Sequence, residues 1–399
     1  MKRYKWFFLI LVSGIFCSCP GTSEEQLVGD WQRRQPCPGA ERCHATTFVI
    51  DNKGYLIGGY NGVATLRRDV FEFDHSAGDE GGWIQKKSLP VHIPARQQAV
   101  GFSVNGKGYM GTGWSFLGTE NETTMRDFWQ YNPEDDSWEE AAPLPEEAQT
   151  RRGAVAFSLK VGPDLKEYGF VGCGYTDEDE DRGYLLDFWR FDPEGKTTVT
   201  RINEDEEEVT VTLQGKWTPL HEVHDGYRGG KRAGALAFVI DKKAYICVGE
   251  NPQNITEFWR FDPNAPPNNQ WFKLRQMSNA NQEEDYDDDY GSLGRAFGVA
   301  YVVDVPGFGL RGHIVGGRAG AGYTNWEYNH HPVLEGGDLW ERRTSFYNNL
   351  TNQTREGMIS FSFPSGRAFV GMGKSGTAYF DDLWEFKPLI EDDIYKDYQ

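Results

Sequence analysis

Arginine recurs at one position of a repeated pattern in this 399-residue chain, and six such side chains could bind an anion together. In each copy, an aromatic residue follows the arginine after six positions. The pairs are Arg42/Phe48, Arg96/Phe102, Arg151/Phe157, Arg232/Phe238, Arg295/Tyr301 and Arg355/Phe361. The guanidinium group is permanently charged, and its planar fork matches carboxylate and phosphate groups. Two interpretations are open: the arginines bind an anionic ligand, or each pairs with an acid or a backbone carbonyl of the protein.

The residues after each arginine predict a unit of four short strands. The second strand ends on a glycine, and a variable loop, a third strand with an acid and an aromatic pair, and a fourth strand with a tryptophan follow. The closing glycines are Gly59, Gly113, Gly174, Gly249, Gly317 and Gly373. In the irregular fifth copy we assign Trp326 to the third strand and Trp340 to the fourth.

This pattern resembles the Kelch repeat over roughly residues 27–388. The resemblance implies an all-β fold, a single six-bladed β-propeller whose blades pack radially because one blade cannot bury its own faces. The expected blades span residues 42–90, 96–145, 151–222, 232–277, 295–345 and 355–388. Kelch propellers of animal ubiquitin-ligase adaptors are similar, and their blade-start arginines bind acidic peptides. That similarity supports the ligand-binding interpretation, and structural pairing within the protein stays the alternative.

The two ends of the repeat region predict how the ring closes. The sixth copy ends at Pro388 without a fourth strand, whereas an isolated fourth-strand motif begins at Gly29. We therefore expect residues 28–35 to form the outer strand of blade six, a "velcro" closure that removes free sheet edges. Residues 389–399 form an acidic tail.

Strand direction places the loops after the closing glycines beside the arginines, because innermost and second strands run in opposite directions. These loops begin with Tyr60, Trp114, Tyr175 or Glu250 in four of the copies. Aromatic faces beside charged groups suit sugar rings, although they also pack in ordinary loops. Glu250 near Arg232 or Arg295 could act as a general base, or could simply form an ion pair.

Two acidic loops share the spacing D-x-D-x-D-x-G. Their carboxylates are Asp177, Asp179 and Asp181 in one loop and Asp285, Asp287 and Asp289 in the other. Alternate carboxylates on a turning loop can bind calcium, but the spacing differs from that of an EF-hand, and a solvated loop is the alternative. No other cofactor is expected.

The N-terminal segment predicts export and a lipid anchor. Residues 1–18 have a basic start and a short apolar run typical of a secretory signal, and Cys19 follows as in a bacterial lipobox. Residues 19–27 would be a linker, with export signals similar to those of Bacteroidetes-like lipoproteins. We expect an outer-membrane lipoprotein at the cell surface or in the periplasm. In that oxidising compartment, the spacing of Cys37 and Cys43 allows a disulfide.

Charge and composition narrow the function. The chain has 60 acidic and 41 basic residues, a net charge of −19, which argues against nonspecific nucleic-acid binding. We favour a noncatalytic, monomeric binding propeller that recognises an anionic glycan or an acidic protein segment. The alternative is an enzyme: six-bladed Kelch sialic acid mutarotases resemble this chain in blade number and compartment, and Glu250 would be the catalytic residue.

Overall fold

The computed structural model describes residues 27–62, 66–116, 122–178, 182–203, 205–280, 287–318, 322–330, 339–346 and 354–391. The signal segment, Cys19 and most of the acidic tail lie outside these residues. Among the described residues, strands dominate, and no helix has the length and apolar character needed to cross a membrane. In the described part of the chain, the one α-helical turn is Leu220–Val223, and 3-10 turns occur at Glu146–Ala148 and Tyr290–Ser292.

The described strands form six antiparallel units of four strands, which we call blades one to six and describe from the innermost strand outward. Blade one contains Thr46–Ile50, Lys53–Ile57, Val70–Asp74 and Gly82–Lys86. Blade two contains Val100–Val104, Lys107–Gly111, Phe128–Asn132 and Ser137–Ala141. Blade three contains Val155–Val161, Lys166–Gly172, Phe188–Ile202 and Glu208–Pro219.

The other three blades repeat this order. Blade four contains Leu236–Ile240, Lys243–Cys247, Phe258–Phe261 and Trp271–Lys273. Blade five contains Ala296–Val305, Gly309–Arg318, Asn325–Asn329 and Leu339–Arg343. Blade six contains Ile359–Ser362, Ala368–Gly371 and Leu383–Glu391, with Val28–Arg34 as its outer strand. Each innermost strand contacts that of the next blade, and the sixth contacts the first. The all-β propeller and its closure by the N-terminal strand are therefore confirmed.

Aromatic residues of the innermost strands explain how neighbouring blades fit together. The ring of Phe48 in blade one fills the space where a side chain at Gly108 in blade two would stand. Phe238 of blade four meets Gly312 of blade five in the same way. A residue without a side chain lets the next blade approach closely, so the aromatic residue of each repeat and the small residue of the next blade form one packing unit.

Four two-stranded ribbons of described residues leave the ring beyond the second strands, at the end of the channel that we call the upper end. They pair Trp114–Phe116 with Glu122–Thr124, Tyr175–Thr176 with Gly183–Tyr184, Glu250–Asn251 with Gln253–Asn254, and Lys374–Ser375 with Ala378–Tyr379. The hairpin turns between first and second strands lie at the opposite end. A cavity of about 780 Å³ opens there between the innermost strands, lined in part by Thr47, Gly101, Ser158 and Ser360.

Candidate functional site

The six blade-start arginines are buried inside the blades, with 0–2% of each residue exposed. Five of them bind a carboxylate of their own blade, placed just before the third strand. These pairs are Arg42–Asp69, Arg96–Asp127, Arg151–Asp187, Arg232–Glu257 and Arg355–Asp382. Arg295 is bonded to neutral oxygens instead. The expected arginine-lined mouth is therefore corrected, because these guanidinium groups join strands within a blade and do not face the channel opening.

The residue two positions after each of these arginines forms a closed ring of backbone hydrogen bonds around the channel axis. We call this ring the collar. Its N–H to carbonyl bonds run His44 to Gly357, Gln98 to His44, Gly153 to Gln98, Gly234 to Gly153, Phe297 to Gly234 and Gly357 to Phe297, at 2.8–3.2 Å. All six residues have a φ between 52° and 63°. This backbone conformation turns each N–H and carbonyl toward its neighbours, and the collar narrows the upper end of the channel.

Two side chains of collar residues, Phe297 and His44, cover the collar on its upper side, and we call this surface the floor. The Phe297 ring lies over Gly153 and Gly234, where a side chain on either glycine would collide with it. His44 meets the edge of this ring, with the ring centroids 5.6 Å apart. Burial lowers the pKa of His44 to about 4, so its imidazole is neutral at physiological pH.

A second ring of residue pairs surrounds this floor, and we call it the upper mouth. In each blade, the residue after the arginine pairs through its backbone with the residue after the closing glycine. The pairs are Cys43/Tyr60, Gln97/Trp114, Arg152/Tyr175, Ala233/Glu250, Ala296/Arg318 and Glu356/Lys374. Tyr60, Trp114, Tyr175 and Glu250 thus come together at this mouth, at the channel end where the sequence placed them.

Blades four to six carry the charged half of the upper mouth. Arg318, with 49% of its side chain exposed, lies 2.7 Å from a carboxylate oxygen of Glu356 and 3.7 Å from one of Glu250. Lys374 binds the other oxygen of Glu356 at 3.0 Å. The Arg318 guanidinium also lies 4.4 Å from the centre of the Phe297 ring, a cation–π contact. Burial raises the pKa of Glu250, and the nearby Glu356 carboxylate acts in the same direction, while Arg318 opposes both.

Blades one to three carry the aromatic half. The Arg152 guanidinium lies 5.0 Å from the Tyr175 ring and 6.0 Å from the Trp114 ring. It donates to the carboxylate of Asp177 at 3.0 Å and to the side-chain oxygen of Gln98 at 3.2 Å. Tyr60 of blade one is the neighbour of Trp114 around the upper mouth, and its side chain is half-buried. A ligand at the upper mouth would thus meet aromatic faces on one side and charges on the other.

Arg318 and Lys374 are the functional candidates that sequence reasoning missed. Both follow a closing glycine, at the position that had identified Tyr60, Trp114, Tyr175 and Glu250 in the other blades. The partner expected for Glu250 is also corrected. Arg232 binds Glu257 and Arg295 is enclosed by neutral oxygens, whereas Arg318 lies 3.7 Å from Glu250.

The expected disulfide between Cys37 and Cys43 is not formed, and both are buried free thiols. Cys37 packs in the apolar cluster between blades one and six, and its backbone N–H donates to the backbone carbonyl of Asp381. Cys43 instead pairs with Tyr60 at the upper mouth, where Lys374 and Glu356 are its charged neighbours. The two cysteines therefore face different surroundings, and burial raises the pKa of each thiol, to about 11 and about 12 respectively.

The calcium prediction stays untested. Asp179, Asp181 and Asp285 lie outside the described residues. The carboxylate of Asp177 binds Arg152, and that of Asp287 accepts the N–H of Ala280 at 2.9 Å. Among the described residues, no three side chains of His, Cys, Asp or Glu are grouped so that they could hold a metal ion.

Comparison with solved structures agrees with this architecture. The chain matches YjhT with a TM-score of 0.59 and 15% sequence identity, over 88% of this chain and 95% of that one. The chain is a β-propeller. At this level of identity, the similarity shows the fold alone. No family model and no curated protein matches the sequence.

Proposed function

We propose that this protein is a Kelch-type binding propeller that recognises a sugar bearing a single acidic group at the upper mouth. The observation that carries the proposal is the exposed guanidinium of Arg318, held over the Phe297 ring at the edge of an aromatic-lined opening. Guanidinium groups bind carboxylates through two parallel hydrogen bonds, and aromatic faces pack against sugar rings.

The charges of the upper mouth favour an acidic sugar over an acidic protein segment. Glu250, Glu356 and Asp177 stand among the cations Arg318, Lys374 and Arg152. A peptide with several carboxylates would meet these acids and be repelled by them. A ligand with one carboxylate can displace Glu356 from Arg318 and leave the other pairs in place.

Calorimetric titration with N-acetylneuraminic acid, a uronic acid and a sulfated sugar tests this function. The methyl ester of N-acetylneuraminic acid keeps the sugar ring and removes its charge, so we expect it to bind at least tenfold more weakly. Loss of a charge-assisted hydrogen bond costs about 1.5–3 kcal/mol, so we expect Arg318→Gln to weaken binding of the acid by about tenfold or more.

Arg201→Gln is the matched control. Arg201 has a similarly exposed side chain and an ion pair with Glu140, but it lies on the outer hairpin of blade three. Its replacement should leave binding unchanged. Failure of all three acidic sugars to bind would overturn the proposed function. Equal affinities for the acid and its methyl ester would show that Arg318 does not bind the carboxylate of the sugar.

A sugar mutarotase or epimerase acting on sialic acid-like substrates is the second candidate, and Glu250 is the residue that favours it. Burial raises the pKa of this carboxyl, which brings it closer to the range in which it can exchange a proton. It also lies 3.7 Å from Arg318, the group that would hold the carboxylate of the substrate. Anomer exchange requires proton transfer at the anomeric hydroxyl and at the ring oxygen, and Glu250 would carry the proton.

Anomer exchange measured by NMR separates the binder from the enzyme. If the protein is a mutarotase, it should accelerate exchange of N-acetylneuraminic acid, and Glu250→Gln should abolish the acceleration while binding persists. If exchange proceeds at the uncatalysed rate in the presence of protein that binds the sugar, the enzyme candidate is excluded.

We also propose that the propeller is held at the outer membrane, at the cell surface or in the periplasm, by a lipid on Cys19. The support is the signal-like sequence of residues 1–18 and the lipobox-like position of the cysteine. Mass spectrometry of the mature protein from a bacterial host should find a diacylglyceryl group on Cys19. Cys19→Ser should release the protein from the membrane fraction, and an unmodified N-terminus would contradict the anchor.

A further inference from the structure

Blade five departs from the ion-pair rule that the other five blades follow. In those blades, an acid just before the third strand binds the blade-start arginine. In four of them, the tryptophan two positions after the acid also donates its indole N–H to that carboxylate. In blade five, Thr324 occupies the position of the acid, and the indole of Trp326 donates to the Thr324 hydroxyl at 3.0 Å.

Arg295 of blade five is consequently buried without a carboxylate partner among the residues that the structure describes. All five of its N–H groups are hydrogen-bonded, and every acceptor is a neutral oxygen. The acceptors are the carbonyls of Leu293, Ser292, Gly316 and Thr324 and the hydroxyl of Thr324. Arginine has five donors, so this set leaves none for a carboxylate. The hydrogen-bonding needs of the guanidinium are satisfied, but no carboxylate in the described part of the chain accepts from it.

Two hydrogen bonds connect Arg295 to the backbone of blades four and five that leads to the upper mouth. The carbonyl of Arg295 accepts the N–H of Gly249, the residue before Glu250, at 2.9 Å. Its guanidinium donates to the carbonyl of Gly316, two residues before Arg318. Both ends of Arg295 are therefore attached to the backbone that presents the Glu250 and Arg318 side chains.

We propose that Thr324 is a specificity-determining residue. Because it replaces the acid of the other blades, the positive charge of Arg295 is not neutralised. That charge attracts the acidic group of the ligand to the blade four–five side of the upper mouth. A buried charge without a partner destabilises a protein, so the missing acid has a cost that the other five blades avoid. The carboxylate of a ligand bound at Arg318 offsets that cost only in the complex. This inference rests on the proposed function, and it adds the place where the anion docks and the reason for it.

Thr324→Asp is the direct test, because it restores the arrangement of the other blades at a position where the arginine and tryptophan contacts already exist. We expect the melting temperature to rise, and the affinity for N-acetylneuraminic acid to fall by about three- to tenfold as the positive potential is neutralised. Binding of its methyl ester should not change. Thr324→Asn, similar in size and neutral, is the matched control and should leave the preference for the acid over the ester intact.

A stabilised Thr324→Asp variant with unaltered affinity for the acid would overturn the inference. A readout that needs no ligand separates this failure from failure of the proposed function. The pKa of Glu250, measured by carbon NMR, should rise in Thr324→Asp and stay constant in Thr324→Asn, because only the first change removes positive potential. An unchanged pKa refutes the electrostatic effect itself. A raised pKa in a protein that binds no acidic sugar refutes only the proposed function.

Discussion

Arg96 illustrates at the level of single atoms what a blade-start arginine does. Its guanidinium donates to both oxygens of Asp127, at 2.7 and 2.6 Å, and to the carbonyls of Pro94 and Thr112. The indole of Trp129 donates to the same carboxylate. One buried group thus links the start of the innermost strand with the end of the second strand and the start of the third. The sequence shows that the arginine recurs in each repeat. That its partner is an acid of the same blade follows only from the positions of the strands in three dimensions.

Replacement of Asp127 measures the strength of this link. Asp127→Asn keeps the size of the side chain and leaves Arg96 buried without a counter-ion. We therefore expect the free energy of unfolding to fall by about 3 kcal/mol. Glu140→Gln breaks the exposed pair with Arg201 and should cost less than about 1 kcal/mol. Urea unfolding followed by tryptophan fluorescence compares the two variants. Equal losses would show that the buried pair does not stabilise the blade.

His44 makes stability depend on pH at the collar. Its folded-state pKa is lowered to about 4 from an ordinary value near 6.5, so the unfolded chain binds more protons between these values. Stability should therefore fall as the pH drops from 6.5 toward 4, by up to about 1.4 kcal/mol per pH unit from this residue. Asparagine adopts a positive φ more readily than most residues, so His44→Asn fits the collar. This variant should show a smaller slope of unfolding free energy against pH. An identical slope in both proteins would contradict the burial of a neutral imidazole.

The missed mouth residues show what a repeat alignment can and cannot reveal. Arg318 and Lys374 occupy the position after the closing glycine, so alignment of the blades was sufficient to place them at the upper mouth. Their contacts with Glu356 and Phe297 join residues from different blades. Those contacts depend on the geometry of the ring and could not be read from spacing within one repeat.

At the scale of strands, the sequence predicted the outer strand of blade six because a fourth-strand motif stood alone at the N-terminus. The observed strand Val28–Arg34 pairs with Leu383–Glu391. The assignments of Trp326 to the third strand and Trp340 to the fourth strand of blade five are also confirmed. These predictions succeeded because a strand's place in a blade follows from the order of motifs.

Blade three marks the limit of such reasoning. Its last two strands extend far beyond the blade, over Phe188–Ile202 and Glu208–Pro219. Gln214 forms a parallel bridge with Ala141, so blades two and three share one eight-stranded sheet. Arg201 binds Glu140 across the same boundary, with two contacts of 3.0 Å. The order of motifs predicts where a strand lies within its blade, but a contact between two blades depends on where the hairpin lies in space.

Glu385 ties the N-terminal strand to the ring, and its replacement tests the closure. Its buried carboxylate accepts bonds from Arg34, Arg367 and Lys387 at 2.6–2.8 Å, and these cations lower its pKa to about 2 although burial opposes them. Because this pKa is depressed, the stabilisation is present above about pH 4.5 and is lost as the pH falls toward 2. At neutral pH, we expect Glu385→Gln to release the outer strand locally.

Hydrogen–deuterium exchange measures this release. In Glu385→Gln, the amides of Val28–Arg34 should exchange faster, while those of blades two to four keep their protection. Glu341→Gln, which loses an exposed contact with Arg343, is the control and should not change exchange in this strand. Unchanged protection of Val28–Arg34 in Glu385→Gln would show that backbone pairing alone closes the ring.

At the scale of the whole molecule, sixfold repetition builds the ring and departures from it build the candidate site. The collar bonds recur in all six described blades and the arginine–acid pairs in five of them, so these contacts hold the ring together. The residues of the upper mouth change from blade to blade and divide it into an aromatic half and a charged half. The net charge of −19 therefore describes the surface in general, whereas Arg318, Lys374 and Arg152 give the mouth its own local charge.

The most direct measurement is a crystal structure of the protein with N-acetylneuraminic acid bound. We predict the sugar at the upper mouth, its carboxylate within hydrogen-bonding distance of Arg318 on the blade four–five side and its ring against the aromatic half. A sugar bound in the cavity at the opposite end of the channel, or a carboxylate pointing into solvent while Arg318 keeps its contact with Glu356, would contradict the account.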